Sequence, residues 1–451
     1  MIYDLSKMDD MSRHQISLSC VNGFIHYHDS KYYRHVVDEM LEVTEGKWSK
    51  AVKWWVSNSA RAMNNQATGF YISLDNHAYV DNKLGIGWRA VKSLLDFLEK
   101  KAYIHIYKGY VESWKVEGGK RIPDECVKSC IILRERSLSL WGNLSSIPDM
   151  WKEMEESACV EVKNRKTKEI LSTKGKVGIK EARSGMIYYN DSLKEADISF
   201  AGRQIATVQY KRVFLDSMDI AGRVYAQGGG VQLLPQKYRS SELKIDGEPV
   251  VELDYSAIHP NICYQMLLRD GLNVYDVMGK DFHPYNADLS FVEIDNTLKQ
   301  EWEFEFNKKH DPRRALAKLA ILIGMNSVDD KKAIGALSGK IYDDRCKKKE
   351  DQELYAITEK VPCVRILEEL RKHNSFIGGK FFSDQGVYLQ NIDSKIVMEI
   401  VNTMVQKGHT VLVYHDSVLT KQSAEQDLHD AMFNAWKTVL GDTTFCKVDK
   451  K

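Results

Sequence analysis

Three stretches of apolar residues, each broken by charge at a fixed place, carry most of what the pattern predicts. Val250, Val251 and Leu253 form a short apolar run entered through the turn-like Asp246-Gly247-Glu248-Pro249, which predicts a buried strand. That strand ends on Asp254, and Pro260 suits the first turn of a helix beginning after Ser256. Far downstream, Thr410–Tyr414 and Val418–Thr420 flank the polar His415-Asp416-Ser417, the pattern of a β-hairpin with an acidic tip. Between the two, Asp311-Pro312 supplies an N-cap and a first-turn proline for a helix over 311–326. A further amphipathic helix is predicted over 423–440.

The first third follows another pattern. A helix from Ala51, a strand over Gly69–Leu74, and a helix over Gly87–Lys101 with Val91, Leu94, Leu95 and Leu98 on one face lead into a hairpin of 103–107 and 110–112. Helix then hairpin is the sequence pattern of a winged helix, with Trp88, Arg89 and Lys92 early on the helix that would meet duplex DNA. A protein–protein or structural wing has the same pattern. The chain divides into an N-terminal segment (1–45), a winged-helix-like domain (46–141), a basic connector (142–203) and a C-terminal domain (204–451).

Charge changes the picture little. Lys+Arg 64 against Asp+Glu 63 leaves +1, so any nucleic-acid surface has to come from local clustering. Lys163–Lys168 with Lys174-Gly175-Lys176 is one such cluster, readable as a phosphate contact or as a solvated linker. Eight scattered cysteines with a single close pair, Cys126 and Cys130, predict reduced, mostly buried thiols and a cytoplasmic setting. No apolar run reaches the length of a membrane span, and no membrane partner is expected.

The chemistry sits on the first three stretches. A carboxylate at a strand end is placed to hold a hard divalent cation, although Asp there also caps helices. Asp254 and Asp416 on neighbouring strands would hold two Mg²⁺ ions about 3.5–4 Å apart, with Mn²⁺ as a substitute. Arg314 and Lys318, four apart on one helix face, put a bidentate guanidinium beside a point-charge ammonium, a set suited to a triphosphate. Lys211, Arg212 and Arg223, ahead of Gly228-Gly229-Gly230, offer charge and close backbone approach to a template or triphosphate.

Taken in order, these stretches resemble motifs A, B and C of palm-domain polymerases, nearest to family A DNA polymerases and the single-subunit phage-type RNA polymerases. Motif C matches as His415-Asp416, motif B as Arg314-x-x-x-Lys318, motif A as Asp254-Tyr255-Ser256. Leu389–Ser394 resembles the Gln-bearing helix that precedes motif C. The resemblance covers about 205–445. It implies an α+β fold with a right-hand palm/fingers core. It also implies metal ligation by Asp254, Asp416 and the Tyr255 backbone, nucleotide contacts from Arg314, Lys318 and Ser256, and primer–template contacts from Gln390 and His415. Two positions depart from the pattern. His259 stands where family A has Glu, and Asn326 where both relatives have Tyr, so the sugar-sensing positions hold unexpected residues. The expected function is template-directed DNA synthesis, with or without a pre-made primer, for a plasmid, phage or other mobile element. The alternatives are an RNA-making polymerase or primase, and a non-catalytic DNA-binding initiator. Expected partners are a DNA primer–template and nucleoside triphosphates.

Overall fold

The computed structural model describes residues 3–18, 20–21, 34–64, 67–74, 85–117, 120–141, 159–205, 208–226, 230–279, 281–294, 311–346, 354, 357 and 361–451. The fold is α+β. Its organising element is the strand Glu248–Tyr255, hydrogen-bonded on one side to Ser417–Lys421 and on the other to Leu243–Ile245 at its start and Val448–Lys450 at its end. The full sheet runs Arg203–Gln204, Ile198–Phe200, Leu243–Ile245, Glu248–Tyr255, Ser417–Lys421, Leu412–Tyr414.

Alternation divides the central strand into two faces. Val251, Leu253 and Tyr255 are buried on one, where the Tyr255 hydroxyl donates to Met432 O (2.6 Å) and its ring lies against Trp436 of the helix Glu425–Leu440. Glu252 and Asp254 take the other. Glu252 is buried, and the forked guanidinium of Arg239 neutralises it with bonds of 2.8–3.0 Å. Asp254 has no buried arginine as partner, and it lies at the strand end.

A second sheet, Val160–Lys163, Tyr210–Leu215 and Ser217–Ala226, packs on the long helix Gly386–Gln406. Asn391 on that helix donates to Met218 O and Ala221 O (3.0 and 3.1 Å), and Arg212 reaches Ser394 Oγ (3.0 Å). Gln232 ties this sheet to the hairpin, accepting from Ala226 N and donating to Val413 O, both at 2.8 Å. Gly386 begins the long helix pressed against Asn326, whose Oδ1 would lie 1.8 Å from any Cβ there. Only glycine admits this contact between the end of one helix and the start of the other.

Two expectations change. Residues 159–203 are not a connector. Val160–Lys163, the helix Ile179–Lys194 and Ile198–Phe200 join the C-terminal core through Val160, Val162, Met186, Tyr189 and Phe200. The basic residues between them masked this, since the apolar positions are short and widely spaced. Residues 142–158 of the expected connector, with its short helix over 148–156, lie outside the described residues. So do Gly228, Gly229 and Cys126's side chain.

In the N-terminal unit the helix Trp88–Lys100 buries Val91, Leu94, Leu95 and Leu98, as its spacing predicts. The expected hairpin of 103–107 with 110–112 does not form. Ile104–Lys108 pairs with Ser129–Leu133, while Tyr110–Glu117 pairs with Lys120–Val127 as a separate ribbon. Ser129–Leu133 lies between Ile104–Lys108 and Gly69–Ile72 in a sheet of its own with a separate core. Among the described residues no helix is long and apolar enough to cross a membrane.

Candidate active site

The hairpin Leu412–Tyr414/Ser417–Lys421 closes through a two-residue loop, His415-Asp416, because Tyr414 is paired with Ser417. His415 has φ +59°, a left-handed conformation in which glycine is the usual residue at a two-residue loop. Ser417 also pairs with Asp254, so the loop stands over the end of the central strand. Ser417 Oγ donates to Asp254 Oδ1 (3.0 Å), and Lys451 Nζ lies 2.9 Å from Asp254 Oδ2 and 2.7 Å from Ser417 Oγ. Asp254 caps no helix. The helix Ile258–Arg269 that follows is preceded by Ala257 at φ +49°. Enclosure by protein, then the charge of Asp254, pushes the half-buried Asp416 carboxyl above the usual range; Arg223 opposes this and Asp393 adds to it. Added positive charge at this strand end favours the ionised form of Asp416.

A helix bearing two basic residues, Pro312–Asn326, is linked to the strand end through His283, which meets both Ser256 and Arg314. Asp311 caps this helix, accepting from Arg313 N (2.8 Å), as the sequence predicts. Arg314, Lys318, Leu322 and Asn326 recur every four residues, and Lys318 and Leu322 are exposed. Arg314 is oriented by Asn286 Oδ1 (3.2 Å) and His283 Nε2 (3.2 Å), with its guanidinium over the Tyr285 ring at 5.7 Å. Tyr285 sits between this helix and the carboxylates: burial and then Asp416 raise its phenol, and Arg314 opposes.

His283 connects the two parts. Its Nδ1 lies 3.1 Å from Tyr285 N, and its Nε2 lies 3.2 Å from both Ser256 Oγ and Arg314 Nη2. Burial, then Arg314, push the imidazole down to about 3, so it is neutral at neutral pH. A histidine whose folded pKa lies below its unfolded value lets the unfolded state take up the proton first. Stability is therefore lost as pH falls from about 6.5 towards about 3. The variant His283→Gln is expected to flatten this acid limb in melting-temperature profiles; an unchanged limb refutes the assignment.

Behind the hairpin lies a buried cluster. Arg223 Nη2 donates to Asp393 Oδ2 (2.6 Å), His259 Nε2 to the same oxygen (2.9 Å), and Asp393 is 1 % exposed. Asp393 holds the Arg223 guanidinium above its usual range against the effect of burial. His259 and Arg223 are thus brought together near Asp416. His415 meets the Tyr225 ring edge-on at 5.8 Å, and enclosure, then Arg223, lowers its imidazole. Gln390, half-buried, lies on the long helix one turn before Asp393.

Other predicted residues lie elsewhere. Arg212 is buried with its bonds to Gly222 O and Ser394 Oγ, and Lys211 pairs with Glu161 (2.7 Å). Arg89 and Lys92 are exposed and Trp88 half-buried, on the helix of the N-terminal unit. Sequence reasoning missed His283, Tyr285 and Asn286, which lie in an irregular segment without periodicity. It missed Lys451, which reaches the site only because Val448–Lys450 adds a strand, and Asp393, which stood unremarked in a stretch singled out for Gln390.

The acidic donors at the strand end are the carboxylates of Asp254 and Asp416. That set suits a hard divalent cation, and the raised Asp416 carboxyl is the strain such a charge relieves. Among the described residues no group of three His, Cys, Asp or Glu forms a larger set. No family model and no curated protein matches the chain. Among solved structures it is similar to the POL domain of Pol1 from M. smegmatis, in complex with DNA primer-template and dNTP, at 14% identity and a TM-score of 0.30. The match covers 60% of this chain and 51% of that one, so it spans about half the length of that domain. A likeness of this size carries no residue-level correspondence.

Proposed function

We propose that the chain is a template-directed nucleotidyltransferase, in first place a DNA polymerase extending a primer on a DNA template. The observation that supports this best is the placing of Asp416 over Asp254 at one strand end, joined through Ser256 and His283 to Arg314 on the helix that also bears Lys318. The chemistry supplied by two bound divalent ions, Mg²⁺ or in its place Mn²⁺, is Lewis acidity at a primer 3′-OH and at a leaving pyrophosphate.

The remaining work falls to the chain. Asp254, Asp416 and the Tyr255 carbonyl are the ligands. Arg314, already held by Asn286 and neutral His283, meets a triphosphate with its geometry set in advance. Exposed Lys318 adds a mobile ammonium, and Ser256 lines the approach. Sugar contact is assigned to His259 and Asn326, and primer–template contact to Gln390 and His415. Arg223 acts on this surface through its pair with Asp393. The N-terminal unit is a winged helix that binds duplex DNA through Trp88, Arg89 and Lys92. Its order of helix, strand, helix, strand, ribbon and a last strand between the other two favours that reading.

The test is primer extension on a short DNA primer–template with Mg²⁺, run with dNTPs, with NTPs, and without primer. Extension with dNTPs alone is expected. Products from NTPs, above all without primer, make the chain a primase or RNA polymerase. DNA binding with no product in any lane overturns the enzyme reading in favour of an initiator.

A further inference from the structure

Residues 163–180 carry seven basic side chains against Glu169 alone, a local +6 in a chain whose total is +1. This segment is a folded tongue at the end of the second sheet, anchored from both sides. Asn164 Oδ1 accepts from Lys166 N and Thr167 N (both 2.9 Å), and Arg165 N donates to Asp216 Oδ1 (2.9 Å) in the turn between the neighbouring strands. Lys176 Nζ reaches Asp216 O (3.3 Å). The strongest anchor is Arg165, whose two terminal nitrogens each lie 2.5 Å from an oxygen of Asp384. Asp384 N in turn donates to Ser327 O (3.0 Å), at the end of the helix that bears Arg314 and Lys318.

The anchors use Arg165, Lys176 and backbone groups, while Lys166, Lys168 and Lys174 are left exposed with no ion-pair partner among the described residues. Exposed ammonium groups without a partner in the protein are free to meet a polyanion. From Arg314 to Asn326 the helix rises about 18 Å, the length of about five nucleotides of one strand. A strand leaving the triphosphate side of the site along this helix arrives at the tongue.

We propose that this tongue is a binding surface for the phosphate backbone of a nucleic-acid strand held at the Asp254–Asp416 site. The inference rests on the nucleotidyltransferase reading for the identity of that strand. Its contacts are electrostatic and carry no base preference.

The test measures binding of the full chain to a fluorescein-labelled DNA primer–template with a single-stranded template overhang, and to the blunt duplex, by anisotropy across a salt series. The variant combines Lys166→Ser, Lys168→Ser and Lys174→Ser. A control of equal charge combines Lys244→Ser, Lys407→Ser and Lys437→Ser, exposed lysines elsewhere on the domain. The tongue variant is expected to lose about tenfold or more in affinity at 0.1 M salt, and its log–log salt slope to shrink by about 2 to 3. The control is expected to retain both. A loss confined to the overhang substrate identifies the strand as single-stranded template; a loss on both identifies duplex backbone. Equal behaviour of the two variants overturns the proposal. The readout is separate from catalysis: a wild-type chain that binds DNA without extending it fails the polymerase reading while the salt slopes still decide the tongue.

Discussion

Asp416→Asn is expected to lower nucleotide incorporation by about 10³-fold or more, corresponding to at least about 4 kcal/mol of transition-state stabilisation, while the same substitution raises the melting temperature of the metal-free protein. Both effects have one cause. The Asp416 carboxyl is pushed up by enclosure and by Asp254. The folded state therefore holds its proton more tightly than the unfolded chain does, and stability contributed by the protonated form is lost as pH rises above the ordinary carboxylate value of about 3.9. At neutral pH the ionised pair destabilises the fold, and asparagine removes one of the charges. A group kept at a cost in stability is the pattern of a functional site. Asp254→Asn is expected to lose incorporation equally but without the gain in stability, because Lys451 then loses its charged partner while the amide oxygen still accepts from Ser417. DNA affinity by anisotropy is expected to hold within about twofold in both variants, since neither carboxylate contacts phosphate directly. Retained incorporation, or a lowered melting temperature for Asp416→Asn, sinks the two-carboxylate assignment.

What the sequence made legible follows the range of the interactions. The Asp311 cap, the acidic hairpin tip and the central strand each depend on residues within a few positions of one another, and each forms as its pattern predicts. The pairing of Asp416's loop with Asp254 joins segments far apart in the chain, and was legible only through the order of the motifs. Longer-range partners left no trace. The neutral state of His283 arises from burial and from Arg314, neither of which a local window contains. Ser129–Leu133 displaced the expected hairpin partner of Ile104–Lys108 because an eight-residue ribbon was inserted between them on each side of its turn. The basic segment 163–180 shows the opposite error. Its composition is that of a linker, but the residues that anchor it, Asp216 and Asp384, lie elsewhere in the sequence.

Asp393→Ala is expected to destabilise the C-terminal domain by about 3–5 kcal/mol, the effect of leaving a buried charge without its partner. Asp393 is 1 % exposed and accepts from both Arg223 and His259, so its loss strands a guanidinium and an imidazole together. The stranded Arg223 is then left facing Asp416, whose ionisation it already favours, and it competes there with any cation the site recruits. Incorporation by Asp393→Ala is thus expected to need a higher Mg²⁺ concentration, beyond any effect of lowered stability. A double-mutant cycle separates the two roles. Arg223→Ala alone leaves Asp393 buried with only His259, and costs a similar amount. Removing both is expected to cost about as much as either alone, a coupling of about 3 kcal/mol measured by urea unfolding. The double variant is also expected to return the Mg²⁺ requirement towards that of the wild type, because no unpaired guanidinium remains beside Asp416. Additive losses of stability would show that the two side chains act independently, and an unchanged Mg²⁺ requirement in Asp393→Ala would confine the cluster to a structural role.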